Sequence, residues 1–178
     1  MLPREAVRDV KASDSQVTYR SDLIQVGQQA PDFSASLSDG SSFSLSALRG
    51  SKRVVIVFYP GDNTPVCTAQ LCTLRDNWRD FQAADALVYG VNPASVEAHA
   101  RFVAKHNFPF PLIADIGGRI SADYGCRMLF GLIKRTVYVI DRLGRIAYAR
   151  RGNPTASEIA QALGRLQDDY IPALATDH

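Results

Sequence analysis

The feature that most constrains the fold is an uninterrupted apolar run in the first third of the chain, Val54-Val55-Ile56-Val57-Phe58. Its residues are β-branched or aromatic, and Pro60-Gly61 follows closely as a breaker. A short run of this composition between breakers predicts a β-strand that is buried on both faces. We therefore expect this strand at the centre of a sheet.

Segments with strand and helix periodicity alternate along the rest of the chain. The predicted strands are a hairpin within 27–43 that turns at 38–41, single strands at 86–91 and 111–114, and a second hairpin at 136–140 and 146–150. The predicted helices are a turn at 45–48 capped by Ser44, a helix from the Cys67 region to Ala83, a helix at 93–106 and a short helix at 119–124. Asn92 is the expected N-cap of the helix at 93–106, with Pro93 at its first position, and the capping box Thr155/Glu158 opens a last helix. This order predicts a three-layer α/β sandwich on a mixed central β-sheet.

Composition narrows the class of protein. The chain has 178 residues, of which 46% are hydrophobic and 21% charged, as in a soluble globular protein with one main core. The formal charge of +2 is spread along the chain, which argues against nucleic acid as a partner. No apolar run approaches the roughly 20 residues of a membrane span.

The domain organisation follows from the same survey. Residues 1–25 are polar and aperiodic and are interpreted as an N-terminal extension, followed by one domain over 26–174 and a tail at 175–178. The N-terminus resembles neither a secretory signal nor an acid-poor transit peptide, so we expect a cytosolic protein. Thiols stay reduced in that compartment, and close cysteines there indicate redox or metal chemistry.

The segment that follows the buried strand carries the chemistry. If Thr64 is an N-cap, Pro65 occupies the first helical position and Cys67 the third. Free N–H groups and the positive end of the helix dipole then favour the thiolate of Cys67. Cys72 lies five residues further on, and its Cα atom would be roughly 8–9 Å away in an intact helix. A disulfide between the two cysteines therefore requires the helix to unwind locally.

The residues Pro60, Thr64 and Cys67 form the pattern Pro-x-x-x-Thr-x-x-Cys, in which the chain resembles the peroxiredoxins. With Cys72 and the later segment that begins at Arg135, it is similar to the bacterioferritin-comigratory-protein or peroxiredoxin Q subgroup over about residues 22–171. The resemblance implies a thioredoxin-like fold. It also implies Cys67 as the peroxidatic cysteine, Cys72 as the resolving cysteine and Arg135 as the catalytic arginine.

The resemblance further implies a reaction and its partners. A thiol-dependent peroxidase of this kind reduces hydrogen peroxide and organic hydroperoxides through a sulfenic acid on Cys67, which Cys72 converts to a disulfide. Thr64 Oγ is expected to supply a hydrogen bond and Pro60 to shield the sulfur from water. Thioredoxin or a similar dithiol would reset the enzyme. No cofactor is required, and either a monomer or a dimer is compatible.

Several residues also have plainer interpretations. Gln70 lies where the subgroup that the chain resembles has Glu or Gln, but an exposed amide on the helix surface explains it equally well. Cys126 is interpreted as a structural or spare thiol that could scavenge a sulfenate if Cys72 were removed. His99 and His106 lie seven residues apart, too far to share one metal ion, and His178 is at the C-terminus, so a metal site is not expected.

Two other functions compete with the peroxidase. A disulfide oxidoreductase or copper chaperone would need a closer Cys-x-x-Cys or Cys-x-x-x-Cys spacing. A peroxide-sensing thiol switch without multiple turnover would use the same disulfide, and the sequence leaves it open.

Overall fold

The computed structural model describes residues 22–166. The strands are β1 Ser34–Leu37, β2 Ser42–Ser44, β3 Arg53–Phe58, β4 Ala86–Asn92, β5 Leu112–Ala114, β6 Thr136–Ile140 and β7 Ile146–Arg151. The helices are α1 Pro65–Asp76, α2 Trp78–Ala83, α3 Val96–His106, α4 Arg119–Asp123 and α5 Ala156–Gly164, with 3₁₀ turns at Ser46–Leu48 and Leu129–Gly131.

The strands form one mixed sheet in the order β2-β1-β5-β4-β3-β6-β7. β3 pairs with β4 in parallel and with β6 antiparallel. Every residue of β3 is buried, as the apolar run predicts. By strand order, however, the middle of the sheet is β4, and β3 lies beside it.

Side chains of β3 alternate between two separate hydrophobic cores because successive residues of a strand point to opposite faces. Val54, Ile56 and Phe58 join one core with the β1–β2 hairpin and α4, which we call the hairpin core. Val55 and Val57 join the other with α1, α2, α3 and α5, which we call the helix core. The sheet therefore lies between two covering layers, and the predicted thioredoxin-like three-layer sandwich is confirmed.

The structure departs from the predicted helices at three polar residues, Asn77, Asn92 and Ser44. The helix expected to run to Ala83 does end there, but it is interrupted at Asn77, which donates through Nδ2 to the carbonyl of Thr73 at 2.8 Å and divides it into α1 and α2. The side chain of Asn92, expected to cap α3, accepts the N–H of Ala94 in a turn. The helix starts at Val96 instead.

The N-cap of α3 is Ser95, whose Oγ accepts the N–H of Ala98 at 3.2 Å. Ser44, expected to cap the helical turn at 45–48, is the last residue of β2. That turn is a 3₁₀ turn, and Asp32 Oδ1 accepts the N–H of Ser46. The capping box of Thr155 and Glu158 at the start of α5 is confirmed.

The predicted N-terminal extension, residues 1–25, falls mostly outside the described residues, as does the tail at 175–178. The described part of the extension contacts the hairpin core. Ile24 is buried there, and its N–H donates to the hydroxyl of Tyr138 at 3.2 Å.

Candidate active site

Cys67 lies where the sequence predicts it, in the first turn of α1. Thr64 has the extended backbone of an N-cap, with φ −81° and ψ 145°, and Pro65 starts the helix. The first helical hydrogen bond runs from the N–H of Thr68 to the carbonyl of Thr64 at 2.9 Å. The N–H groups of Val66 and Cys67 precede that bond, so the positive end of the helix faces the sulfur. Cys67 is itself 1% exposed.

Arg135 reaches this sulfur from a distant part of the chain. It precedes β6, and the antiparallel pairing of β6 with β3 places Thr136 opposite Phe58, the last residue of β3. The guanidinium Nη2 of Arg135 donates to Cys67 Sγ at 3.2 Å. A guanidinium is charged at any relevant pH, so the sulfur lies against a fixed positive charge.

Gln70 is the second partner of Arg135, which the sequence interpretation missed. The other guanidinium nitrogen, Nη1, donates to Gln70 Oε1. Gln70 is 3% exposed, so its interpretation as an exposed surface amide is wrong. Its position three residues after Cys67 on the same helix face was the available signal.

Thr64 and Pro60 are both exposed in the loop that leads from β3 into α1. Thr64 Oγ1 donates to the carbonyl of Gly61 at 3.4 Å, and its side chain forms no cap bond with α1. The hydrogen bond of Thr64 to the reacting atoms and the shielding by Pro60 stay predictions.

Cys72 lies on the same helix, partly buried against the helix core. Cys67, Cys72 and Cys126 are all free thiols. Since α1 is continuous from Pro65 to Asp76, an intact helix separates the first two sulfurs, and a disulfide between them needs the unwinding that the sequence predicts.

A buried carboxylate fixes the loop before α1, which the sequence did not reveal. Asp62 accepts hydrogen bonds from the hydroxyl of Tyr59 at 2.7 Å and from Asn92 Nδ2 at 2.9 Å, both at Oδ1. His99 Nδ1 contacts its Oδ2 at 2.8 Å. We call this group of four side chains the Asp62 anchor.

The electrostatics of the anchor follow from these contacts. Burial raises the pKa of Asp62, but the hydrogen bonds from His99, Tyr59 and Asn92 outweigh burial and bring the pKa below its ordinary value. Burial and the nearby Asp62 charge raise the pKa of Tyr59 well above its ordinary value. The carboxylate of Asp62 is therefore ionised. Because an ionised carboxylate only accepts hydrogen bonds, His99 Nδ1 is the donor in its contact with Asp62.

Cys126 belongs to the hairpin core, on the opposite face of the sheet from Cys67. Burial raises the pKa of its thiol to about 11, although Thr136 and Arg151 act in the other direction. A buried thiol of this kind is unreactive. Its placement opposes the suggestion that it could capture a sulfenate on Cys67.

Two negative findings concern residues 22–166. No group of three or more His, Cys, Asp or Glu side chains in this part of the chain could hold a metal ion. None of the helices within it has the length and apolar character needed to cross a membrane.

A thioredoxin-like sheet, a cysteine in the first helical turn and an arginine donating to its sulfur together define a cysteine-dependent oxidoreductase. Comparison with known proteins makes the class more specific. The profile of the AhpC/TSA family matches residues 26–149. Peroxiredoxin Bcp of Bacillus subtilis (strain 168) is 36% identical over 152 residues, which cover 82% of this chain and 96% of the relative.

Two solved structures are similar as well. Peroxidoxin BcpB from Mycobacterium tuberculosis aligns with a TM-score of 0.75 and 28% identity, covering 81% of this chain and 99% of its own. The Xanthomonas campestris bacterioferritin comigratory protein, described for its alkyl peroxide reduction activity, aligns with a TM-score of 0.72 and 28% identity over 79% of this chain and 98% of its own. The chain belongs to the AhpC/TSA family, in its bacterioferritin-comigratory-protein and peroxiredoxin Q subgroup. It is a thiol-dependent peroxidase.

Proposed function

We propose that Cys67 is the peroxidatic cysteine of this peroxidase and Cys72 its resolving cysteine. The contact between Arg135 Nη2 and Cys67 Sγ at the N-terminus of α1 carries the proposal. It combines the two features that stabilise a thiolate, a helix N-terminus and a fixed cation.

In the first step, the Cys67 thiolate attacks one oxygen of the hydroperoxide. The S–O bond forms as the O–O bond breaks, and the departing oxygen takes up a proton and leaves as water or an alcohol. Arg135 donates toward the oxygens on which negative charge develops. Gln70 holds the guanidinium in position through its Oε1.

In the second step, the sulfur of Cys72 attacks the sulfenic sulfur of Cys67. The S–S bond forms, the S–O bond breaks and the oxygen leaves as water. A thioredoxin-type dithiol then reduces this disulfide by thiol exchange. The cycle needs both thiols reduced at its start, which fits a reducing compartment such as the cytosol.

The substrates of this site include organic hydroperoxides in addition to hydrogen peroxide. Exposed apolar side chains flank the two central residues in sequence: Val66 precedes Cys67, and Leu129, Phe130 and Leu132 precede Arg135. Apolar surface of this kind favours the alkyl part of a substrate. Alkyl peroxide reduction by the Xanthomonas campestris relative agrees with this substrate class.

The test is peroxide consumption with an excess of a thioredoxin system, combined with peptide mapping after one equivalent of peroxide. We expect repeated turnover and a Cys67–Cys72 disulfide in the wild type, a sulfenic acid on Cys67 in Cys72→Ser, and no consumption by Cys67→Ser. Cys126→Ser is the matched control and should retain turnover. A wild type that stops after one equivalent would instead be the peroxide-sensing switch.

A further inference from the structure

Catalysis by the proposed mechanism needs α1 in two shapes. The peroxide step uses the intact first turn, which presents the sulfur of Cys67 to Arg135. The disulfide step uses an opened first turn, because the helix keeps Cys67 and Cys72 apart. Any contact that exists only in the intact shape therefore shifts the balance between the two steps.

The Asp62 anchor is formed by the loop that leads into this intact turn. Asp62 lies two residues before Thr64, the N-cap of α1, in the loop that joins β3 to α1. Its carboxylate is only 8% exposed, and the ring of His99 is fully buried. The donors come from three different parts of the fold: the end of β3, the end of β4 and the body of α3.

Close packing holds the donors themselves in place. A Cβ atom at Gly90 of β4 would lie 2.9 Å from the ring of Tyr59 and 2.7 Å from Leu112, so a glycine is required for this ring to lie against the strand. α3 is fixed to the helix core through Phe102, which is 1% exposed. The anchor thus ties the loop before α1 to closely packed elements of the fold.

The other end of α1 is tied to the same helix. Arg75, in the last turn of α1, donates through Nη1 to the carbonyl of His106, the last residue of α3, at 2.7 Å. Leu71 and Leu74 are buried in the helix core beside it. The C-terminal half of α1 is therefore held by packing and by a hydrogen bond to α3, whereas its first turn is held by the contacts of Cys67 and by the loop before it.

We propose that Asp62 and His99 are positioning residues of this peroxidase, which hold the loop before α1 and thereby favour the intact first turn over the opened one. Opening starts at the N-terminal end of α1, while the contact of Arg75 with α3 keeps the C-terminal end in place. The inference rests on the proposed roles of Cys67 and Cys72.

The test measures the two steps separately by stopped-flow fluorescence. Trp78, the one tryptophan, directly follows α1 and packs against Phe110 in the helix core, so it reports on this region. In Asp62→Asn and His99→Leu we expect the disulfide step to become roughly tenfold faster, the factor that loss of a hydrogen bond to a charged group produces. The peroxide step should be slower than in the wild type or unchanged.

Two variants separate positioning from a general loss of stability. His99→Asn keeps an amide donor near the place of Nδ1 and should return both rates toward the wild type. Asp115→Asn is the matched control, because Asp115 is 2% exposed and also accepts three hydrogen bonds, but from Ile120 and Ser121 at the start of α4. It should leave the ratio of the two rates within about twofold.

Tyr59→Phe removes one donor and retains the ring, so it keeps the test open if the stronger variants do not fold. We expect a smaller change in the same direction. The inference is overturned if the disulfide step is not accelerated, or if both steps slow in parallel. A wild type that consumes no peroxide and forms no Cys67–Cys72 disulfide would refute the proposed function instead.

Discussion

At the scale of single residues, the planar guanidinium of Arg135 explains why two neighbours on α1 are arranged as they are. One nitrogen donates to Cys67 Sγ and the other to Gln70 Oε1. A neutral amide accepts the second hydrogen bond without neutralising the positive charge, which remains available to the sulfur. A lysine offers a single ammonium in place of this fixed fork.

Arg135→Lys should therefore slow the peroxide step by about 100-fold, the usual effect of removing one fixed donor from a developing anion. The measurement is the second-order rate constant for hydrogen peroxide under single-turnover conditions. Arg150→Lys is the control, since Arg150 pairs with Glu158 near the start of α5. Equal rates in Arg135→Lys and the wild type would contradict the role of the guanidinium.

The lowered pKa of Asp62 predicts how stability depends on pH. The unfolded chain has the ordinary aspartate pKa near 3.9, and the folded protein a lower one. As the pH falls, the unfolded state thus binds the proton first, so the contribution of Asp62 is complete above about pH 5 and is lost as the pH falls from there through the folded pKa.

Urea unfolding of the wild type and of Asp62→Asn from pH 7 down to pH 3 checks this. We expect the wild type to be more stable by about 1–3 kcal/mol at neutral pH, as is typical of hydrogen bonds to a buried charge. The difference should be constant down to about pH 5 and shrink in more acidic solution. A difference that disappears between pH 6 and 7 would mean that Asp62 is not the titrating group.

At the scale of secondary structure, Asn77 separates α1, which the proposed disulfide step opens, from α2. The apolar pattern continues across it, from Leu74 to Phe81, and both residues are buried in the helix core. The side chain of Asn77 nevertheless donates a hydrogen bond to a carbonyl of the preceding turn, and α1 ends there. We therefore expect unwinding that begins at Pro65 to stop before α2.

Amide hydrogen exchange of the oxidised protein should show this division. We expect residues 65–72 to lose protection on formation of the disulfide, because Cα atoms more than about 7 Å apart cannot be bridged in an intact helix. α2 and, as an internal reference, α5 should exchange as in the reduced protein. Unchanged protection throughout α1 would show that the two cysteines do not pair within one chain.

At the scale of the whole molecule, the sheet divides the thiols. Cys67 and Cys72 face the helix core, and Cys126 faces the hairpin core, with β3 and its neighbours between them. Cys126 donates to the carbonyl of Tyr124 at 3.4 Å and lies 3.6 Å from Arg151 Nη1. A disulfide to Cys67 would require the sheet to come apart.

Cys72→Ser should consequently form no Cys67–Cys126 disulfide after treatment with peroxide. The native protein should incorporate iodoacetamide at Cys126 only after unfolding, because burial holds the pKa of this thiol at about 11. Peptide mass mapping of native and urea-treated samples measures both outcomes. A Cys67–Cys126 link in the folded variant would contradict the placement of the two thiols on opposite faces.

The sequence by itself determined the features that depend on neighbouring residues. The turn of the β1–β2 hairpin, Pro65 at the start of α1 and the capping box at Thr155 follow from local backbone and side-chain rules, and the structure has each of them. The pattern of Pro60, Thr64 and Cys67 also indicated the family, which the comparisons confirm.

Tertiary structure decided the contacts between residues far apart in the chain. Arg135 meets Cys67 across 68 residues only because β6 pairs with β3 in one register. The contact of His99 with Asp62 needs α3 packed on the helix core, and the hydrogen bond from Asn92 Nδ2 to Asp62 needs the end of β4 beside the loop before α1. Local preferences of roughly 1 kcal/mol or less per residue set the elements, but burial in a shared core fixes which polar groups lie close enough to pair.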